Sequence, residues 1–181
     1  MNFRDIPQYP RSNYAVHVGL HYLEEHVAHY AGYGFTMDPE YQRGHVWTAA
    51  QRERYVEHIL QGGETGRDIL INCYNWQGRR RGVDPNKCGP AEVLDGKQRL
   101  TSLLMFLRGE VRAFGRVLSE FEGKPRADII WRVVDFDAVE VLDTYLMLNA
   151  GGTVHDPVEL ERVRGLRDAA RAARLKPGVV G

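Results

Sequence analysis

Cysteine is scarce in this chain: Cys73 and Cys88 are its whole supply, and neither belongs to a C-x-x-C pair. That excludes a disulfide scaffold and a cysteine-built zinc site, and it predicts two unpaired thiols in a reducing compartment. An excess of one charge is also missing, since 24 Lys and Arg balance 24 Asp and Glu. A protein that coats duplex DNA by neutralising phosphates carries a large positive excess, so any nucleic-acid contact here must come from a local patch. No apolar run approaches the roughly 20 residues that span a bilayer, and Met1-Asn2-Phe3-Arg4-Asp5 has no signal-peptide core. A cytoplasmic protein without a membrane partner is expected. With 43% apolar and 27% charged residues, neither disorder nor a fibrous class is favoured. A length of 181 residues suits a single domain over 1–181, with its core in 14–160 and a basic C-terminal helix over 157–175.

What is present is punctuated clearly. Val16, Leu20, Leu23, Val27 and Tyr30 recur at three- and four-residue steps, which predicts an amphipathic helix over 14–31, ended by Gly32 and Gly34. Gly34-Phe35-Thr36-Met37 reads as a short strand, broken by Asp38-Pro39. Thr48 and Gln51 have capping-box spacing and predict a helix over 49–61. Residues 68–74 have the apolar density of a buried strand, with 91–94 as its neighbour. Leu100, Leu103, Leu104 and Leu107 share one helical face, which Gly109 closes. Residues 129–134 read as another strand. Asp137 and Glu140 form a second capping box, opening a helix that ends at Asn149-Ala150-Gly151-Gly152. Asp156-Pro157 opens the last helix. Strands interleaved with helices predict an α/β (α+β) fold.

The chemistry-bearing segment is Asp95-Gly96-Lys97-Gln98-Arg99, at a strand-to-helix junction. The first amides of a helix lack intrahelical acceptors and the dipole there is positive, so the segment suits an anion. Gly96 admits a ligand close to the backbone, Lys97 and Arg99 add charge, and Gln98 can orient an oxygen or a water. The alternative is that Asp95 merely caps the helix while Lys97 and Arg99 point to water, and local physics leaves both open. Tyr41-Gln42-Arg43 lies in a loop where the planar arginine fork suits a polyphosphate, or else is a surface loop with Tyr41 packed down. Asn149 to Thr153 admits backbone contact with a ligand, or is only a helix cap.

Other features carry weaker signals. His17, His21, His26 and His29 recur on the first predicted helix, but no carboxylate or cysteine is spaced to complete a metal site, so none is expected. Arg79-Arg80-Arg81 with Trp76 is the candidate nucleic-acid contact, against a solvated charge run. In the last helix Arg162, Arg164, Arg167, Arg171 and Arg174 surround a narrow stripe of Val163, Leu166, Ala170 and Ala173. That stripe docks either on its own domain or on a partner, a second copy or nucleic acid.

Three separated motifs resemble those of the GmrS-type domain, the N-terminal domain of GmrSD-like modification-dependent restriction systems. They are Gly34 to Trp47 with Tyr41-Gln42-Arg43 followed by Gln51, Leu94-Asp95-Gly96-Lys97-Gln98-Arg99-Leu100-Thr101-Ser102-Leu103, and Leu148-Asn149-Ala150-Gly151-Gly152-Thr153. The order and intervals agree from Gly34 to Leu160. The resemblance implies a ParB/sulfiredoxin-like fold, a small mixed sheet packed by helices. It also implies binding and Mg²⁺-dependent hydrolysis of a nucleoside triphosphate, in DNA metabolism or phage defence. Carried over, Asp95, Gly96, Gln98 and Arg99 line the phosphates, with Gln42 and Arg43 facing them and Thr101 and Asn149 nearby. Asp95 or Gln98 would orient metal or water. Lys97 departs from the family's glutamine, adding a cation and removing a group that positions water. Residues 64–68 replace a Pro-Ile-Pro wall, and Ala150 replaces serine. The chain shows no HNH-type nuclease constellation, so an effector would be a separate protein, or the C-terminal helix would pair two copies. The competing implications are a ParB-like DNA-binding or nicking protein and a non-enzymatic interaction module.

Overall fold

The computed structural model describes residues 2, 12, 14–42, 44, 47–78, 80–84, 86–149 and 157–174. Among them are four strands and five α-helices: β1 (Tyr14–Gly19), α1 (Leu23–Ala31), α2 (Ala49–Leu60), β2 (Asp68–Cys73), β3 (Ala91–Asp95), α3 (Lys97–Leu107), β4 (Asp128–Val134), α4 (Ala138–Asn149) and α5 (Pro157–Arg174). The sheet runs β1-β4-β2-β3. β2 and β4 are parallel, while β1 and β3 flank them antiparallel. This is the α/β class that the alternation of elements predicts.

The period-two alternation of the strands sorts two cores. Ile69, Ile71, Cys73, Ala91, Val93, Ile129, Trp131 and Val133 lose all water contact on one face, against α1, α2 and α3. Leu70 and Leu94, of opposite parity, join Val141, Leu142, Tyr145 and Val163 in a second cluster with α4 and α5. The C-terminal helix therefore seats its stripe of Val163, Leu166 and Ala170 on its own chain. Asp143 of α4 holds Arg171 at 2.7 Å, and Asp137 meets Arg174 at 3.3 Å.

Both capping boxes form. Thr48 Oγ1 accepts from the Gln51 amide at 3.3 Å and Gln51 Oε1 accepts from the Thr48 amide at 2.8 Å. Glu140 Oε2 accepts from the Asp137 amide at 2.8 Å, and Asp137 Oδ1 from the Glu140 amide at 3.1 Å. The Asp156 cap and the Ala150-Gly151-Gly152 terminator lie outside the described residues.

Two expectations are corrected. Residues 14–31 are not one helix: 14–19 form edge strand β1, a 3-10 turn covers Leu20–Tyr22, and α1 begins at Leu23. Val16 belongs to the helical stripe but also alternates with Val18, and pairing with Trp131 and Ile129 of β4 decides between the two periods. Residues 34–37 supply a single bridge, Thr36 to Glu92, instead of a strand.

A polar clamp joins β1, β4 and the turn before β2. Arg67 Nη2 lies 2.6 Å from Asp128, whose carboxylate also meets His17 Nδ1. Partial burial works to raise the Asp128 carboxyl, but the His17 hydrogen bond and the Arg67 charge outweigh it and hold it below the ordinary value of 3.8. A carboxylate depressed on folding stabilises the native state above its unfolded pKa, and that contribution is lost as pH falls through the folded one. Asp128→Asn should therefore lower the urea midpoint at pH 7, and the difference from the unsubstituted protein should shrink as the pH is taken down from about 4. Urea titrations at a series of pH values read this directly.

Candidate functional site

β3 delivers its last residue, Asp95, to the edge of a cleft, and Gly96 turns the chain into α3 with φ of 94°. A Cβ at position 96 would lie 2.7 Å from Ile69 Cδ1 and 3.3 Å from the Asp68 carbonyl oxygen, so both backbone angle and space demand glycine. Gly96, not Asp95, is the N-cap, and no side chain caps this helix. The first intrahelical bond runs from the Leu100 amide to the Gly96 carbonyl at 2.8 Å. The amides of residues 97–99 thus have no acceptor within the helix, at the positive end of its dipole.

A cavity of about 280 Å³ opens over this turn, lined by residues 95–99 together with Gln42, Trp47, Leu94, Tyr145 and Asn149. Each of its cations is more buried than the carboxylate it pairs with. The Lys97 side chain is 10% exposed while its partner Asp38, 2.5 Å away, is 79% exposed. Arg99 is 21% exposed and pairs at 2.5 Å with Asp95, which is 51% exposed. An exposed carboxylate retains most of its hydration and holds a buried ammonium weakly, so both cations can exchange partners at modest cost.

The two glutamines act on the backbone. Gln98 Oε1 accepts from the Trp47 amide and its Nε2 donates to the Gly44 carbonyl, each at 3.2 Å, which pins the loop between Gln42 and α2 over the helix start. Gln42 Nε2 donates to the Leu94 carbonyl at 3.1 Å and to the Val93 carbonyl, fixing the end of β3. Behind Arg99, the Tyr55 hydroxyl donates to the Gly66 carbonyl at 2.9 Å. Burial pushes that hydroxyl well above its ordinary range although the Arg99 charge opposes it, so it remains a neutral donor. Gly66, within the segment that replaces the family's Pro-Ile-Pro wall, abuts both Tyr55 and Arg99. Trp47 packs edge-on against Tyr55, with ring centroids 5.4 Å apart.

The structure brings together Gln42, Asp95, Gly96, Lys97, Gln98, Arg99 and Asn149. The Asn149 side-chain Nδ2 donates to the Tyr145 carbonyl at 2.7 Å. Thr101 lies on α3, half-buried and away from the cavity lining. Arg43, His45 and Gly151 to Thr153 lie outside the described residues. Asp38, Trp47 and Tyr145 were not singled out from sequence as site residues. Trp47 belongs to the first motif and was legible there; Asp38 carried no signal beyond its charge.

The arginine run divides. Arg79 is outside the described residues and Arg81 is exposed. Arg80 donates to Asp135 Oδ1 at 2.7 Å and to its carbonyl at 2.6 Å, and stacks 4.7 Å from the Tyr74 ring centre. Partial burial opposes its charge, but Asp135 and Glu140 outweigh this and raise its pKa. This guanidinium braces the loop between β2 and β3. Among the described residues no group of three or more His, Cys, Asp or Glu could hold a metal ion. His26 packs edge-on against Trp131, and burial followed by the nearby His29 lowers its pKa.

Fold and site together define a small α/β domain in which a glycine turn, a helix N-terminus and two sheltered cations share one cleft. The chain belongs to the family described as the GmrSD restriction endonuclease, N-terminal domain, which matches residues 25–162. Neither a curated protein nor a solved structure matches it. No helix among the described residues is long and apolar enough to cross a membrane.

Two substitutions test this geometry. Gly96→Ala should cost about 1–3 kcal/mol of unfolding free energy, from the positive φ alone, with the Ile69 clash adding to it. Gln98→Ala should cost only about 1 kcal/mol, yet speed hydrogen exchange at the Trp47 amide far more than elsewhere. Denaturant titration checks the first and exchange measured by mass spectrometry the second.

Proposed function

We propose that the cleft binds a nucleoside triphosphate by its phosphates, in the restriction-system setting of its family. The observation that carries this reading is the sheltered pair Lys97 and Arg99 at the start of α3, beside a glycine turn that keeps the backbone open. Phosphate oxygens accept from helix-terminal amides and from charged donors at the same time. The volume is at the small end for a ligand pocket and suits the phosphate chain better than a whole nucleotide. Sugar and base would extend past Trp47.

Magnesium fits this donor set as a companion of the phosphates. Asp95 offers a hard, half-exposed oxygen at the cavity edge, and Mg²⁺ commonly uses one or two carboxylates plus phosphates and water. When bound it supplies charge neutralisation along the phosphate chain. Within the chain, Arg99 released from Asp95 and Lys97 released from Asp38 hold the phosphates, while Gln42 and Gln98 keep the walls in place. Binding is supported more strongly than turnover. The Gln98 amide is occupied by backbone groups at both ends, so positioning a water would require it to let go of the loop.

Thermal shift with ATP, GTP, CTP and UTP, each with Mg²⁺, tests the reading. At least one should raise the melting temperature, and Arg99→Ala should abolish that rise. Asp38→Asn removes the carboxylate that competes for Lys97 and should tighten binding about two- to fivefold, the equivalent of an exposed ion pair of ~0.4–1 kcal/mol. No shift with any of the four nucleotides sinks the proposal.

A further inference from the structure

The thiols of Cys73 and Cys88 lie 2.8 Å apart, although fifteen residues separate them, and both are free. That is well inside the about 3.5–4.0 Å of ordinary contact between carbon atoms, and sulfur is larger. Backbone pairing holds them there. Cys73 closes the β2 ladder opposite Ala91, and the Gly89 amide donates to the Tyr74 carbonyl at 2.8 Å. Between them the chain is gathered around Asn75, which is 1% exposed. Its side-chain Nδ2 donates to the carbonyls of Asp84 at 2.9 Å and Lys87 at 2.7 Å, and its Oδ1 accepts from the Arg80 backbone amide at 3.2 Å. Neither cysteine lines the Gly96 cleft.

We propose that Cys73 and Cys88 are a dithiol modification site, which a low-molecular-weight disulfide oxidises to an intramolecular disulfide that fastens the loop carrying Trp76, Arg80 and Arg81. The asymmetry in burial sets the order of events. Cys88 is partly exposed and Cys73 is completely buried. The Cys88 thiolate attacks one sulfur of the reagent, breaking its S–S bond and releasing one thiolate. Cys73 then gives up its proton and attacks Cys88 Sγ, expelling the second thiolate. Two protein thiols and one disulfide thus become one protein disulfide and two small thiols, and the sulfurs close to about 2.05 Å. Burial, reinforced by the neighbouring Cys88 thiol, raises the Cys73 thiol far above its ordinary pKa, which suits the resolving position better than the attacking one.

The test is to incubate the purified full chain with oxidised glutathione and read its intact mass before and after dithiothreitol. The expected product is lighter by two hydrogen atoms, carries no glutathione and reverts on reduction. A digest should then contain one peptide pair joined through Cys73 and Cys88. The bond should raise the melting temperature on the order of 5 °C and slow tryptic cutting at Arg80 and Arg81 at least threefold. Cys88→Ser should show neither change while melting close to the reduced protein. A stable single glutathione adduct on Cys88, or unreacted thiols in a folded sample, overturns the site. A bond that forms without slowing the cleavage overturns its role in fastening the loop.

Discussion

β2 and β4 run parallel through the middle of the sheet, and Ile69, Ile71, Ile129, Trp131 and Val133 of this pair lose all contact with water on the α1–α3 face. Each such side chain contributes roughly 1.5–3 kcal/mol of burial, more than any ion pair on the surface of this protein. The register of that pair, Asp68 beside Ile130 through Asn72 beside Val134, decides where everything else is placed. β3 returns antiparallel from β2, so its end at Asp95 lies beside Leu70, near the beginning of β2. The Gly96 turn is packed against Ile69 and Asp68 for that reason. The opposite end of the same hairpin holds Cys73, Ala91 and the thiol pair. One ladder thus keeps the Gly96 cleft and the thiol contact at its two ends, with Ile71 and Val93 between them.

Asn72 shows how the central pair also controls α4. It is 3% exposed, its Oδ1 accepts from the Phe136 amide at 2.8 Å, and its Nδ2 reaches Glu92 at 3.2 Å. Burial raises the Glu92 carboxyl, while the hydrogen bond from Asn72 opposes this. The buried polar group therefore ties the start of the α4 segment to β2 and β3, and α4 carries Tyr145 and Asn149 to the cleft. A cleft wall drawn from three sequence-distant segments is held rigid by the sheet and by backbone-directed amides.

Legibility in the sequence followed the range of the interactions. Both capping boxes are local, with both partners three residues apart, and both form as read. The strands over 68–74, 91–94 and 129–134 were legible because apolar density and bounding loops are local too. β1 was misread because its two periods overlap and only the distant partner β4 chooses between them. It also precedes the matched family region at 25–162. Residues 95–99 line one cavity, but the sequence does not reveal which remote backbone a side chain grips: the Gln98 side-chain amide binds Trp47 and Gly44, and such a contact leaves no pattern in its own neighbourhood. The same holds for Arg80, whose partner Asp135 lies fifty-five residues on.

Lys97 sharpens what the cleft is suited to do. Lysine at this position places a cation at 10% exposure beside an aspartate that is 79% exposed. Under the proposed function, this carboxylate and that of Asp95 are the groups that an incoming anion displaces. Arg99 and Asp95 repeat the same design four residues apart, with the cation more sheltered than its acid. Under the proposed function, a ligand that displaces both carboxylates together is favoured, and a chain of phosphates brings the several negative charges that this requires.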